Sequence, residues 1–248
     1  MSSQNTTETT PSQQQQHTSS SSESQNFEPE NTHDYKHKWY WDQRFEKEEN
    51  YDWLGTFQQW KPYLEPYLTA HHDSKQQVKI LIVGCGNSTL SEDMYKDGYH
   101  SITNMDYSHT VIEKMKIKHP NMEWVEMDMM DMKGFADGTF DIVLDKGTMD
   151  ALVVDAGDPW DPEPHVREQT CKMCCEVYRI LKPSGRFLQI SFSQPHFRKI
   201  FLNPKKQDGE TNLLDWSYKS IHVDEIGFGY PLFILQKPPF TSLPSTTH

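Results

Sequence analysis

The chain has 248 residues, a formal net charge of -12 at neutral pH and four cysteines. With a polar N-terminal stretch set aside, that length suits one domain with one sizeable core. The acidity disfavours a nucleic-acid partner, no apolar run approaches the ~18 residues of a membrane span, and the cysteines lack the paired spacing of a secreted disulfide scaffold.

Residues 1–31 are low-complexity, with the runs Gln13 to Gln16 and Ser19 to Ser22. Such a segment buries too little apolar surface to offset its ordering entropy, so it is expected to be disordered. It has neither the basic and apolar regions of a secretory signal nor any arginine, so no leader is expected and the chain reads as cytoplasmic. The folded domain is expected over residues 35–236, and residues 237–248 read as a flexible C-terminal tail.

Within the domain, strands and helices alternate. Val78 to Val83 is a β-branched run that reads as a buried strand, followed by a helix over Ser88 to Lys96. Ser101 to Asp106 is a second strand. Ser108 to Lys118 is a helix capped by Ser108 and closed at His119-Pro120. Further strands are expected over Met122 to Asp128, Phe140 to Leu144 and Arg186 to Phe192. A helix over His165 to Leu181 is stopped by Lys182-Pro183-Ser184-Gly185. Two last strands, near Leu214 to Val223 and Phe228 to Leu235, close the sheet as a hairpin. The pattern predicts an α/β fold: a doubly wound, mostly parallel seven-stranded sheet with a C-terminal antiparallel hairpin. Ligands of such sheets bind beyond the carboxyl ends of the strands.

The first strand runs into Gly84-Cys85-Gly86-Asn87-Ser88, where two glycines permit a tight turn and close approach of a ligand. Asp106 ends the second strand, where a carboxylate can accept two ribose hydroxyls; capping of the next helix is the alternative. A dinucleotide site would want Gly or Ala where Thr89 stands, whereas S-adenosylmethionine needs no pyrophosphate cradle. Asp128 could accept the adenine amino group, with Met129 packed on the ring. The dense aromatics Trp39, Tyr40, Trp41, Phe45, Tyr51 and Trp53 could form a lid or be ordinary packing. Cys171-Lys172-Met173-Cys174-Cys175 contains a CxxC, but no second ligand cluster accompanies it. These thiols therefore read as core-facing, and no metal is expected.

The runs Gly84-Cys85-Gly86-Asn87-Ser88, Asp106-Tyr107-Ser108 and Asp145-Lys146-Gly147-Thr148-Met149-Asp150-Ala151 resemble the methyltransferase-like family that includes lysine methyltransferases of translation elongation factor 1-alpha. Tyr40-Trp41-Asp42-Gln43-Arg44-Phe45 upstream and Val177 to Phe187 downstream extend the resemblance over about residues 35–236. It implies a class I, Rossmann-like methyltransferase using S-adenosyl-L-methionine. The implied cofactor contacts are Trp41, Phe45, Trp53, Gly84, Asp106, Tyr107, Asp128, Met129 and Lys146, with Gly86 in the same loop. At Phe45 relatives often carry tyrosine, so the hydroxyl is missing here. The implied reaction is protein-lysine methylation of elongation factor 1-alpha by a monomer that engages neither nucleic acid nor membrane. A lysine acceptor must shed its proton, and Asp145 and Asp150 are candidates to orient the amine. A small-molecule methyltransferase and an inactive cofactor-binding adaptor are the competing readings.

Overall fold

A computed structural model describes residues 27–69, 72–206 and 209–240. Most of the segment expected to be disordered, and residues 241–248, lie outside the described residues. The described part begins anchored: the Phe27 carbonyl accepts the Tyr40 hydroxyl at 2.8 Å. Asn31 then caps a 3-10 helix over Thr32–Lys36. At the other end Lys237 belongs to the fold and not to a flexible tail, because its Nζ donates to the carbonyls of Tyr178 and Leu181, both at 2.9 Å.

Among the described residues, seven strands form one sheet: β1 (Ile80–Val83), β2 (Ile102–Asp106), β3 (Glu123–Glu126), β4 (Phe140–Lys146), β5 (Leu181–Ile190), β6 (Ser217–Val223) and β7 (Tyr230–Gln236). Their order is β3-β2-β1-β4-β5-β7-β6. The first five are parallel, and β7 pairs antiparallel with both β5 and β6. This is the expected sheet. β3 stops two residues short of Asp128. β5 starts earlier than its apolar run, because Lys182-Pro183-Ser184-Gly185 forms a bulge inside it. Phe140 pairs with Leu181, yet Ile142 pairs with Arg186.

Among the described residues, seven α-helices cover the sheet: α1 (Lys38–Lys47), α2 (Phe57–Leu68), α3 (Leu90–Lys96), α4 (His109–Lys118), α5 (Thr148–Leu152), α6 (Pro164–Ile180) and α7 (Pro195–Leu202). Strand alternation divides the core into two layers. Ile80, Ile82, Ile142, Leu144, Leu188 and Ile190 pack with residues of α1 to α4. Leu81, Val83, Val143 and Phe187 pack with α5, α6 and α7. α6 buries Val166, Thr170, Met173, Cys174, Val177 and Ile180, the stripe of a helix with one face on a sheet. Its thiols divide accordingly: Cys174 is buried, while Cys171 and Cys175 flank the stripe half-exposed. No described helix is long and apolar enough to cross a membrane.

Candidate active site

A cavity of about 420 Å³ opens at the carboxyl ends of β1, β2 and β4, within the ~300–1,000 Å³ usual for small-molecule sites. All ten residues expected at the cofactor line it: Trp41, Phe45, Trp53, Gly84, Gly86, Asp106, Tyr107, Asp128, Met129 and Lys146.

The glycine loop is shaped by close packing. Gly84 has φ +58°, and a Cβ there would overlap the Thr148 side chain, whose hydroxyl donates to the Val83 carbonyl at 2.9 Å. The loop leaves β1 and turns its backbone toward Asp106, where the Gly86 N–H donates to Oδ2 at 3.0 Å and the Ser108 N–H to Oδ1 at 2.9 Å. Asp106 thus holds the loop and the start of α4 together, while Ser108 is the helix cap. Burial pushes its pKa up to about 6, against the lowering effect of those N–H groups. Each carboxylate oxygen retains a lone pair beyond its backbone bond. Past β3 the chain folds back: the Met127 N–H donates to the Asp106 carbonyl, and Asp128 Oδ1 accepts the Met130 N–H at 2.8 Å. Asp128 is exposed at the rim and Met129 half-buried.

The aromatic segment forms the roof. Trp41 stacks near Phe45 at 5.6 Å and meets Trp53 edge-on at 6.4 Å. Both tryptophans are half-buried, between the core and the cavity. The residue that organises this roof, Arg44, escaped the sequence reading. It is 5 % exposed, pairs with Glu48 through two nitrogens at 3.1 and 2.7 Å, and sits 4.8 Å from the Tyr51 ring centre and 5.0 Å from that of Trp53. Asn87 donates to Glu48 Oε2 at 3.0 Å, which ties the glycine loop to the roof. Asp52 accepts the hydroxyls of Ser88 and Thr89, and Lys146 Nζ donates to the Trp53 carbonyl at 2.7 Å. The Arg44/Glu48 pair, four residues apart, was the available signal. Burial draws the Lys146 ammonium below the ordinary lysine range.

The candidates for orienting an acceptor do not reach the cavity. Asp145 is fully buried and accepts the N–H groups of Thr148 and Met149 and the Gln189 amide, at 2.7, 3.3 and 2.8 Å. Asp150 is engaged by Arg198 and by the Ser191 hydroxyl. The reason is register. Val83 pairs with both Met105 and Asp145, so Asp145 lies on the α5–α7 face, one residue short of the level of Gly84 and Asp106. Lys146, the next residue, turns to the cavity. Among the described residues no group of three or more His, Cys, Asp or Glu side chains converges as a metal site.

A sheet of this order, with a glycine loop, an acid at the end of β2 and a nucleoside-sized cavity under an aromatic roof, defines a class I methyltransferase. A methyltransferase domain family matches residues 81–189. The fold is similar to a SAM-dependent methyltransferase from Aquifex aeolicus, with a TM-score of 0.51 and 14 % identity over 78 % of this chain and 97 % of that one. The sequence is similar to EEF1A lysine methyltransferase 4 of Mus musculus, 32 % identical over 84 % of this chain and 78 % of the relative. It is also similar to the human eEF1A lysine and N-terminal methyltransferase, 33 % identical over 89 % of this chain, though the chain spans only 31 % of that protein's length. The chain belongs to the EEF1A lysine methyltransferase family and is an S-adenosylmethionine-dependent methyltransferase.

Proposed function

We propose that the chain transfers a methyl group from S-adenosylmethionine to a lysine of translation elongation factor 1-alpha. The observation that carries the cofactor half is the Asp106 carboxylate, fixed by two backbone N–H groups at the cavity wall with lone pairs to spare. The acceptor half is supported by the relatives, whose names specify eEF1A lysine.

The bound cofactor would supply an electrophilic methyl on a sulfonium, with a neutral thioether as leaving group. Asp106 accepts the ribose hydroxyls, and Asp128 with Met129 receives the adenine. Gly84 and Gly86 let the backbone approach without side chains in the way. Trp41, Phe45 and Trp53 exclude water and hold the reactants in line, an arrangement worth up to ~7–11 kcal/mol in well-oriented reactions. Lys146 supports Trp53 through its carbonyl. A lysine entering this aromatic slot loses hydration, which lowers its pKa toward the neutral amine, and water carries the proton away. Asp145 and Asp150 serve the fold and not the acceptor. The compartment in this reading is the cytoplasm, where thiols such as Cys171 and Cys175 stay reduced.

The test is transfer of tritium from labelled S-adenosylmethionine to purified elongation factor 1-alpha, followed by mapping of the labelled residue. Label on a lysine is expected. Label only in small molecules, or no transfer to any acceptor in a lysate, would overturn the reading.

A further inference from the structure

The turn joining β6 to β7 lies at the same end of the sheet as the cavity. β7 runs antiparallel to β5, and Leu232 pairs with Ile190, the last residue of β5. Residues 224–229 therefore emerge beside the carboxyl ends of β4 and β5.

This turn is tightly closed and carries an aromatic that the fold does not use. Gly227 has φ +60°, and a Cβ there would overlap the Tyr230 ring, so the turn is closed tightly on β7. The Gly229 N–H donates to the Ile226 carbonyl at 3.0 Å. Ile226 is buried in the core, and a Cβ at Gly55 in the roof segment would overlap its side chain. Glu225 accepts the Tyr63 hydroxyl at 3.0 Å. Held in this frame, Phe228 is 99 % exposed.

Single exposed apolar residues are ordinary, but Phe228 lies two residues along the chain from Tyr230, where an aromatic series ends. Trp53, in the cavity wall, meets Phe192 edge-on at 6.3 Å, and Phe192 meets Tyr230 at 5.5 Å. Phe192 is half-exposed, and Tyr51, also exposed, lies 4.9 Å from Trp53. A rim of rings thus runs from the cavity to the base of the turn. Asp224, which pairs at the surface with His222 at 3.1 Å, and Glu225 add negative charge beside it, in a chain whose net charge is already -12. Aromatic anchors with a charged margin are the composition of a protein-docking surface. The charge favours a basic partner over an anionic membrane, whose headgroups it would repel.

We propose that the β6–β7 turn, with Phe192 and Tyr230, docks the acceptor protein through a basic segment next to its target lysine. Phe228 packs on that segment and Asp224 faces its positive charge. This rests on the protein-lysine reading above. Docking here would bring the acceptor next to Trp53, which lines the cavity.

The test compares Phe228→Ser and Asp224→Lys with the unaltered chain, using purified elongation factor 1-alpha at low and at 0.3 M salt. Each variant should raise KM for the protein acceptor at least fivefold, with kcat, S-adenosylhomocysteine affinity and melting temperature unchanged. The Asp224→Lys effect should shrink with salt while that of Phe228→Ser persists. Unchanged KM in both variants would overturn docking while leaving lysine methylation standing. If the unaltered chain labels no protein at all, the functional reading falls and the docking proposal with it. A dimer of the unaltered chain that Phe228→Ser dissociates would assign the surface to a second copy and likewise overturn the proposal.

Discussion

Two aspartates end neighbouring parts of one sheet and do opposite things. Asp106 at β2 and Asp145 near the end of β4 are both buried, both accept two backbone N–H groups, and both are pushed up to about 6 by burial. Only Asp106 lines the cavity. Asp145 is level with Met105 and Val83, one step before Asp106, and on a strand one step reverses the face. A buried acid with a raised pKa at a strand end therefore does not by itself mark chemistry; the face it occupies decides.

Replacing each acid should separate their roles, and the largest effect falls on Asp145. Asp145→Ala leaves two N–H groups and the Gln189 amide without their acceptor in a closed core. We expect a stability loss of about 3 kcal/mol or more, read by urea unfolding, with S-adenosylhomocysteine affinity of the folded fraction unchanged. Weakened affinity at full stability would reverse the assignment of faces.

Asp106→Ala should do the complementary thing and lower cofactor affinity by about 1.5–3 kcal/mol, the range for hydrogen bonds to a charged group. Water from the cavity can reach the freed N–H groups, so its stability loss should be the smaller of the two in the same unfolding experiment.

The two acids should also differ in pH dependence. An aspartate raised from ~3.9 in the unfolded chain to about 6 in the fold ionises first when unfolded. The unfolded state then binds fewer protons between these values, so stability falls as pH rises from about 4 to about 6 and is flat above. Subtracting the Asp145→Asn profile from that of the unaltered chain should isolate this slope. For Asp106 the readout is binding: cofactor affinity should weaken as pH falls through about 6, and Asp106→Asn should abolish that dependence. A flat binding profile in the unaltered chain would contradict the role of its carboxylate.

The smallest effect is expected in the roof. Trp53→Ala should weaken cofactor binding several-fold with a modest stability loss, because the ring is only half-buried. Hydrogen exchange over residues 35–55 should slow when S-adenosylhomocysteine binds; equal exchange with and without it would make the roof ordinary packing.

The sheet was legible because its strands are apolar runs closed by Gly or Asp, and Ser108 capped α4 where the sequence placed it. α2 was hidden by Pro62 and Pro66, which lie inside the helix, where proline ordinarily breaks one. α1 was read as an aromatic cluster because its helical logic is the Arg44/Glu48 pair and not an apolar stripe. The cavity residues were legible as glycines and strand-end acids. The face of Asp145 was not, because it depends on the residues β4 meets in its neighbours, and the pairing of Asp145 with Val83 and Gln189 is a property of the assembled sheet.

If the cavity beneath the roof holds S-adenosylmethionine by its ribose on Asp106, as proposed, removing that carboxylate must weaken binding. Calorimetric titration of S-adenosylhomocysteine into the unaltered chain, Asp106→Ala and Asp145→Asn at pH 7.5 tests it most directly. Saturable binding to the unaltered chain is expected, with a loss of tenfold or more in Asp106→Ala and undiminished affinity in folded Asp145→Asn. Undiminished affinity in Asp106→Ala would contradict it.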